Sequence, residues 1–376
     1  MNSIQRVKAA IHFQNPDRVP VYNPGLGDVF PMVMLPSKNW QPGYEEYEHG
    51  LFPFHLDDRW MELGFYKWKK PEWAKALKYK NWLKNPREEI DEHGCIWIRD
   101  GKNTSMGHPG RPGLNDWSEY ESFINRYSPN PKDKTRYIDF LELNKLMGKR
   151  KYRMCQLGFQ GPFTTASAAR GFINFLIDHR RNPDNLKKLL AHLTSFYVQS
   201  AKCWVEYGAN PHGFIIYDDL GDQVRSFINP NMFEEFYRPV FKTIFDTVHQ
   251  LGCDIHLHSC GKIDALMPLF IDWGLDAFEF DSPRTIGYSD LEQFRGKIMM
   301  WGCLDLQHYY SEGCKTTPDE CEKEVLHMIK NMGTQEGGFG AYFYPQTYHL
   351  GTPKENIKAF ENGLKKYGNY NIFTGD

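Results

Sequence analysis

Apolar positions along this chain follow two rhythms, helical stripes and short continuous runs, and the two alternate over most of its length. Ile4, Val7, Ala10 and Ile11 make a stripe that predicts a helix over 3–13, ended by Pro16. A first strand follows at Asp17-Arg18-Val19-Pro20-Val21-Tyr22, with Asn23-Pro24-Gly25 as its turn. From 152 the runs Tyr152–Leu157, Gly213–Tyr217, Asp254–Ser259, Asp276–Asp281, Lys297–Gly302 and Gly338–Tyr344 predict six more strands. Between them lie helical stretches at about 183–207, 230–251, 263–272 and 318–332, and a final one at about 353–367. The first carries Leu186, Leu189, Leu190, Leu193, Phe196 and Tyr197 on one face. Strand–helix alternation of this kind predicts parallel βαβ units. Six strands here, the N-terminal one, and one more expected inside 37–125 total eight. The fold class expected is α/β, a TIM-like (β/α)8 barrel, with a doubly wound sheet as the alternative.

The rhythm breaks between about 37 and 125, which is rich in Trp, Tyr, Lys and Pro. Within it Gly94–Arg99 followed by Asp100-Gly101 predicts one arm of a β-hairpin, with Ser105–Pro109 as the return or a loop beyond. This block is expected to elaborate one end of a single domain spanning 1–376, as a substrate lid or as a satellite core. Composition narrows the function classes. Lys+Arg 45 against Asp+Glu 47 leaves a net charge of −2, with no basic footprint for nucleic acid. No apolar run is long enough to span a membrane, and Met1–Arg6 has no signal-peptide character. Eight cysteines without C-x-x-C pairs point to reduced thiols and a cytoplasmic location.

The strongest chemical signal is Leu257-His258-Ser259-Cys260-Gly261. Side chains two apart on a strand share a face. His256, His258 and Cys260 therefore point one way, with the last two at the strand's C-terminal end, where parallel α/β folds bind ligands. Imidazole and thiolate suit zinc or another borderline-soft metal; the bland alternative is a packed His and a buried Cys. The same rim would gather Asp218, Asp219, Gln223, Glu279, Asp281, Cys303, Asp305, Gln346 and His349. Asp218 and Asp219 could be catalytic or could make an Asx-turn or cap the following helix. Glu279 and Asp281 share a face by the period of two and could hold a metal, tune each other's protonation, or pair with Arg or Lys.

Asp17-Arg18-Val19-Pro20-Val21, Gly161-Pro162-Phe163 and Asp218-Asp219-Leu220-Gly221-Asp222-Gln223 resemble, together with the His258–Cys260 motif, the uroporphyrinogen decarboxylase superfamily. So do Trp301-Gly302-Cys303-Leu304-Asp305 and Gly351-Thr352-Pro353-Lys354-Glu355-Asn356-Ile357. The resemblance runs in order over nearly the whole chain and implies a (β/α)8 barrel with its cleft at the C-terminal rim. The Arg-rich N-terminal motif of the porphyrinogen decarboxylases is missing, since Tyr22–Asp28 holds no Arg. H-x-C-G is instead typical of the corrinoid-dependent methyltransferase branch, which implies His258 and Cys260 as zinc ligands. Zinc-thiol enzymes of that branch carry a further Cys before the last helix, where this chain has Tyr344-Pro345-Gln346-Thr347-Tyr348-His349. Gln346 or His349 then substitutes, or a carboxylate such as Glu279 completes the shell, or no zinc binds.

The resemblance implies a methyltransferase that demethylates a small methylated compound, a methoxylated aromatic first and a methylamine second, and passes the methyl group to a Co(I) corrinoid protein. Asp218, Asp219 and Gln223 are its candidate catalytic residues. Tyr217, Phe159, Glu279, Tyr344 and Gln346 are candidates for holding substrate, and His258, Cys260 and His349 for holding metal. The cofactors expected are zinc and a cobalamin carried on a partner protein, with a homodimer as the candidate assembly. The alternative is a metal-independent decarboxylase of a polycarboxylate, which would need cations in its cleft.

Overall fold

A computed structural model describes residues 1–23, 27–37, 39, 87–99, 108–310, 314–344 and 351–373. Its strands are β1 (Val21–Tyr22), β2 (Val29–Met32), β3 (Arg87–Ile90), β4 (Ile96–Arg99), β5 (His108–Pro109), β6 (Tyr152–Gln156), β7 (Gly213–Tyr217), β8 (Asp254–His258), β9 (Ala277–Phe280), β10 (Met299–Gly302) and β11 (Phe339–Tyr342). Eight of them form one parallel sheet in the order β1-β11-β10-β9-β8-β7-β6-β2. The two end strands of that list are joined through Asp28. Its N–H donates to the Val21 carbonyl at 2.6 Å, and its Oδ2 accepts the Val21 N–H at 2.9 Å. The sheet therefore closes into a (β/α)8 barrel, and the doubly wound alternative falls.

The eighth strand corrects the sequence expectation: it is β2, just after the first strand, and not inside 37–125. Four residues containing Pro31 are too short and too interrupted to register as a run, and only pairing with β6 makes them a strand. The predicted helices form at Ser3–Ile11, Pro183–Glu206, Pro230–Gln250, Pro318–Met332 and Lys354–Tyr367. The helix expected from 263 begins at Met267, because Pro268 has no N–H to give and sits where a first turn tolerates it. Within 37–125, β4 pairs antiparallel with β3 and with the return strand β5.

The N-terminal helix, entered by an Asn2/Gln5 capping box, plugs the barrel's lower end. Arg6 and Arg18 both reach the buried Asp28, at 2.8 and 2.9 Å. Burial alone would raise that carboxyl, but the Val21 N–H and Arg18 outweigh it and hold it below the ordinary value. Lys8 and His12 reach Asp254 at the start of β8, at 3.3 and 3.0 Å. Above Asp254 the barrel interior is polar: Tyr152 Oη donates to its Oδ2 at 2.8 Å and lies 3.0 Å from His256 Nε2. Trp301 Nε1 donates to His256 Nδ1 at 3.2 Å, so the proton of the neutral ring is on Nε2.

The antiparallel hairpin leans on the barrel wall. Asp91 accepts from the N–H groups of His93 and Cys95 and from Trp97 Nε1, at 2.9–3.0 Å, which folds the turn inward. Cys95 Sγ then donates to the Thr165 carbonyl, and Trp97 packs edge-on against Phe159. Burial, aided by Arg136 and His192, pushes the His93 imidazole down to about 3.

Replacing Asp28 with Ala should cost about 3 kcal/mol in denaturant unfolding, since it strands Arg6 and opens the seam; a loss below 1 kcal/mol would deny the seam that role. His93 adds a pH effect. A histidine depressed in the fold favours the folded state above its ordinary 6.5, and that contribution drains away as pH falls toward about 3. His93→Phe should therefore flatten the acid side of the stability–pH curve. Parallel curves for the two proteins would show that the ring is not the cause.

Candidate active site

Register in the parallel sheet sets the site. β7 pairs with β8 so that Tyr217 stands beside His258, and β8 pairs with β9 so that His258 stands beside Glu279. Residues level on neighbouring strands point to the same side, and here that side is the barrel interior at its C-terminal rim. His258 Nδ1 is hydrogen-bonded to Glu279 Oε2, and the Tyr217 ring lies 5.2 Å from the imidazole. The other ring nitrogen, Nε2, faces Cys260 Sγ at 3.4 Å, Asp219 Oδ1 at 3.6 Å and Asp281 Oδ2 at 4.0 Å. Five chemically active side chains from the ends of three adjacent strands thus surround one small volume.

The loops that carry them are fixed by each other. Asp218 is fully buried and accepts the N–H groups of Phe163 and Thr164 at 2.9 and 2.7 Å, capping the helix Pro162–Arg170 from outside its own chain segment. Gly161 makes room for it: a Cβ there would fall 2.4 Å from Asp218 Cβ. Asp219 Oδ1 accepts the Cys260 N–H at 3.0 Å, tying the β7 loop to the β8 loop. Gly261 completes the joint with φ +84 and its backbone pressed against Gly221, where a Cβ would come within 2.2 Å of the carbonyl oxygen.

A family model described as uroporphyrinogen decarboxylase (URO-D) matches residues 124–367, which include this whole cluster. The chain belongs to the uroporphyrinogen decarboxylase family. It is 26% identical over 206 residues to the methylated-thiol–coenzyme M methyltransferase of Methanosarcina mazei, over 54% of this chain and 51% of that one. The chain thus spans about half the length of the curated relative it matches. A solved methyltransferase from Methanosarcina mazei superposes with a TM-score of 0.62 at 16% identity, covering 98% of this chain and 99% of that one, a likeness of fold.

In this uroporphyrinogen decarboxylase family member the site electrostatics are dominated by burial and by the His258–Glu279 pair. Burial works against a charged His258, but Glu279, then Cys260 and Asp281, hold its value well above the ordinary one. Burial pushes Glu279 up, with His258 pulling the other way. Asp281 is pushed up to about 7, by burial first and then by Glu279. Asp219 is held low, its burial outweighed by His258. Burial raises the Cys260 thiol, and Asp219 adds to the effect. Glu279 Oε1 and Asp281 Oδ1 are buried with no hydrogen-bond partner. Orphaned buried carboxylate oxygens are expensive. Asp219, His258 and Cys260 lie close enough to share one ion, as do His258, Glu279 and Asp281, and imidazole, thiolate and carboxylate are donors that zinc takes, so the residues present fit that metal.

Not every candidate from the sequence joins the cluster. Asp219, Tyr217, Glu279, His258 and Cys260 do. Asp218 lies behind it as a helix cap. Phe159 packs on Trp97, and Tyr344 is half-buried just beyond β11. Gln223 is exposed in the turn at Asp222–Arg225, whose N–H groups bond Asp222 itself. Gln346 and His349 fall outside the described residues. Asp281 belongs to the cluster although its roles were left open, and the signal for it was the shared face with Glu279.

Asp218→Ala would leave the Phe163 and Thr164 N–H groups buried and bare, and should cost about 1–3 kcal/mol in chemical denaturation. Asp218→Asn should cost less. Unchanged stability in both variants would return Asp218 to the list of reacting groups.

Proposed function

We propose that the chain is a corrinoid-dependent methyltransferase. It demethylates a small methylated compound, a methoxylated aromatic first and a methylamine second, and delivers the methyl group to a Co(I) corrinoid carried by a partner protein. One observation carries this reading: an acid–base cluster, buried His258, Glu279 and Asp281 with the partly exposed Asp219 and Cys260, sits at the barrel rim where a methylated heteroatom would enter. The relative named above, a methyltransferase of this family, supports methyl transfer as the reaction class.

Demethylation of an ether breaks the carbon–oxygen bond with its electron pair staying on oxygen, while the cobalt pair makes the new bond to carbon. The oxygen must then take up a proton. A carboxyl group at about 7, as at Asp281, is well matched to donating one near neutral pH. A zinc ion held at His258 and Cys260 would supply Lewis acidity toward the same departing heteroatom. Glu279 fixes the imidazole's orientation and tautomer, and Tyr217 beside it offers a ring against which a flat substrate can lie. The reduced thiols suit the cytoplasm, where all eight cysteines would stay unpaired as they are here.

Two other readings are weaker. Demethylation of a methylated thiol, the class in the relative's name, wants a thiolate-rich zinc site, and among the described residues Cys260 is the one cysteine of the cluster. Decarboxylation of a polycarboxylate wants cations, and Asp219, Glu279 and Asp281 crowd the rim with carboxylates.

The test is to incubate the full chain anaerobically with cob(I)alamin and, in turn, methoxylated benzoates, methylamines, methylated thiols and a porphyrinogen-type polycarboxylate, following the Co(I) absorbance. Consumption of Co(I) with methoxylated benzoates, slowed about 10- to 100-fold by Glu279→Gln, is the expected result. Consumption with methylated thiols alone would overturn the substrate class, and carbon dioxide release without Co(I) loss would overturn the reaction.

A further inference from the structure

We propose a second ligand site, apart from the barrel cleft: a pocket around Arg284 that takes the phosphate group of a small molecule. The pocket is a surface cavity of about 310 Å3, at the lower end of the range for small-ligand sites. Three segments build it. Arg284 stands on the short helix Pro283–Ile286 that follows β9, and His308 and Tyr309 stand on the turn Leu306–Tyr310 that follows β10. Glu320, Lys323, Glu324 and His327 recur at helical spacing along Pro318–Met332, so they share one face of that helix. None of these residues belongs to the His258 cluster.

The floor of the pocket fixes the guanidinium. Glu324 is 4% exposed, and both of its oxygens are taken. Oε1 accepts Arg284 Nε at 2.8 Å and the Tyr288 hydroxyl at 2.6 Å, and Oε2 accepts Arg284 Nη2 at 2.8 Å. Nη2 donates as well to Tyr309 Oη at 2.8 Å. One edge of the guanidinium is thus clamped by a paired carboxylate, which sets its plane. The remaining nitrogen, Nη1, has no partner among the described residues, and the side chain is 41% exposed. An arginine held on one edge with an unused pair of N–H donors in a cavity is prepared for an oxyanion.

The other lining groups add donors. His308 and His327 pack edge-on against Tyr309 and Tyr288, at 4.8 and 4.4 Å, and their ring nitrogens make no hydrogen bond among the described residues. Lys323 pairs with Asp319 at 2.6 Å, but both side chains are more than two-thirds exposed. Such a pair is weak and leaves the ammonium free to turn. The acids are occupied elsewhere. Glu324 is spent on the floor, and Glu320 Oε2 accepts the N–H and hydroxyl of Thr317 in the capping box of its own helix. Formal charge balances, two cations against two carboxylates, yet most of the bonding capacity left over is donor capacity. Donors arriving from three segments suit a tetrahedral oxyanion, which accepts on every side, better than a planar carboxylate.

The full chain should be titrated by calorimetry with inorganic phosphate, methyl phosphate and acetate at constant ionic strength. The expected result is one saturable site per chain for both phosphates, with acetate about 10-fold weaker or more. Arg284→Lys keeps a charge beside Glu324 but loses the fork, and should weaken methyl phosphate by about 10-fold or more. His308→Gln and His327→Gln lie outside the buried pair and decide the matter if Arg284→Lys fails to fold; each should weaken methyl phosphate by about 3- to 10-fold. A wild type with no saturable phosphate binding would overturn the site. So would wild-type affinity in both Gln variants together with loss of binding in Asp219→Asn, which would put the anion in the cleft. Acetate binding as tightly as methyl phosphate would overturn the ligand class.

Discussion

The hydrogen bond between His258 and Glu279 is the constraint on which the site depends, and it follows from strand register. β8 and β9 run parallel and level, so their inward residues meet in pairs with no freedom to slip. A one-residue shift would turn both side chains into the helical layer. Glu279 is fully buried and could not remain there as a lone carboxylate. The imidazole supports its charge, and Glu279 in return decides which nitrogen of the ring looks into the cleft. The lowered acid at Asp219 and the direction in which Nε2 faces follow from that pairing, while burial is the larger cause of the raised acid at Asp281.

Around it the scaffold spends polar groups on rigidity. Asp218 is the clearest case, a carboxylate at a barrel rim whose two oxygens are both given to backbone N–H groups of a neighbouring helix. Gly161 and Gly261 allow three loops to touch without intervening side chains. Thus the donors of Asp219 and Cys260 are held by backbone as well as by side-chain packing, which is what a site that must act on a small ligand requires.

The chain's periodicity was enough to read the barrel, its major helices and the inward face of β8, because those features repeat locally. β2 was hidden, since a four-residue strand with a proline has no rhythm of its own and exists through its partner β6. His258 and Cys260 were legible as a pair by spacing alone. Their surroundings were not: that Asp218 caps a helix more than fifty residues earlier, while the adjacent Asp219 enters the cleft, depends on how two loops meet in space. Glu279 and Asp281 could be placed on one face from the sequence, yet only the register of β8 and β9 shows that the first holds the imidazole from behind and the second approaches it from the front.

The helix at the barrel's lower end has a consequence for the order of assembly. Through Arg6 it holds the seam at Asp28, and through Lys8 and His12 it holds Asp254, across more than two hundred residues of chain. β1 likewise has its sheet partner in β11, near the other end of the sequence. This helix therefore lacks much of its docking surface until strands made much later have formed. Loop closure over such separations is slow, so ring closure is a late event, and the helix must wait for β11 before its seam is complete.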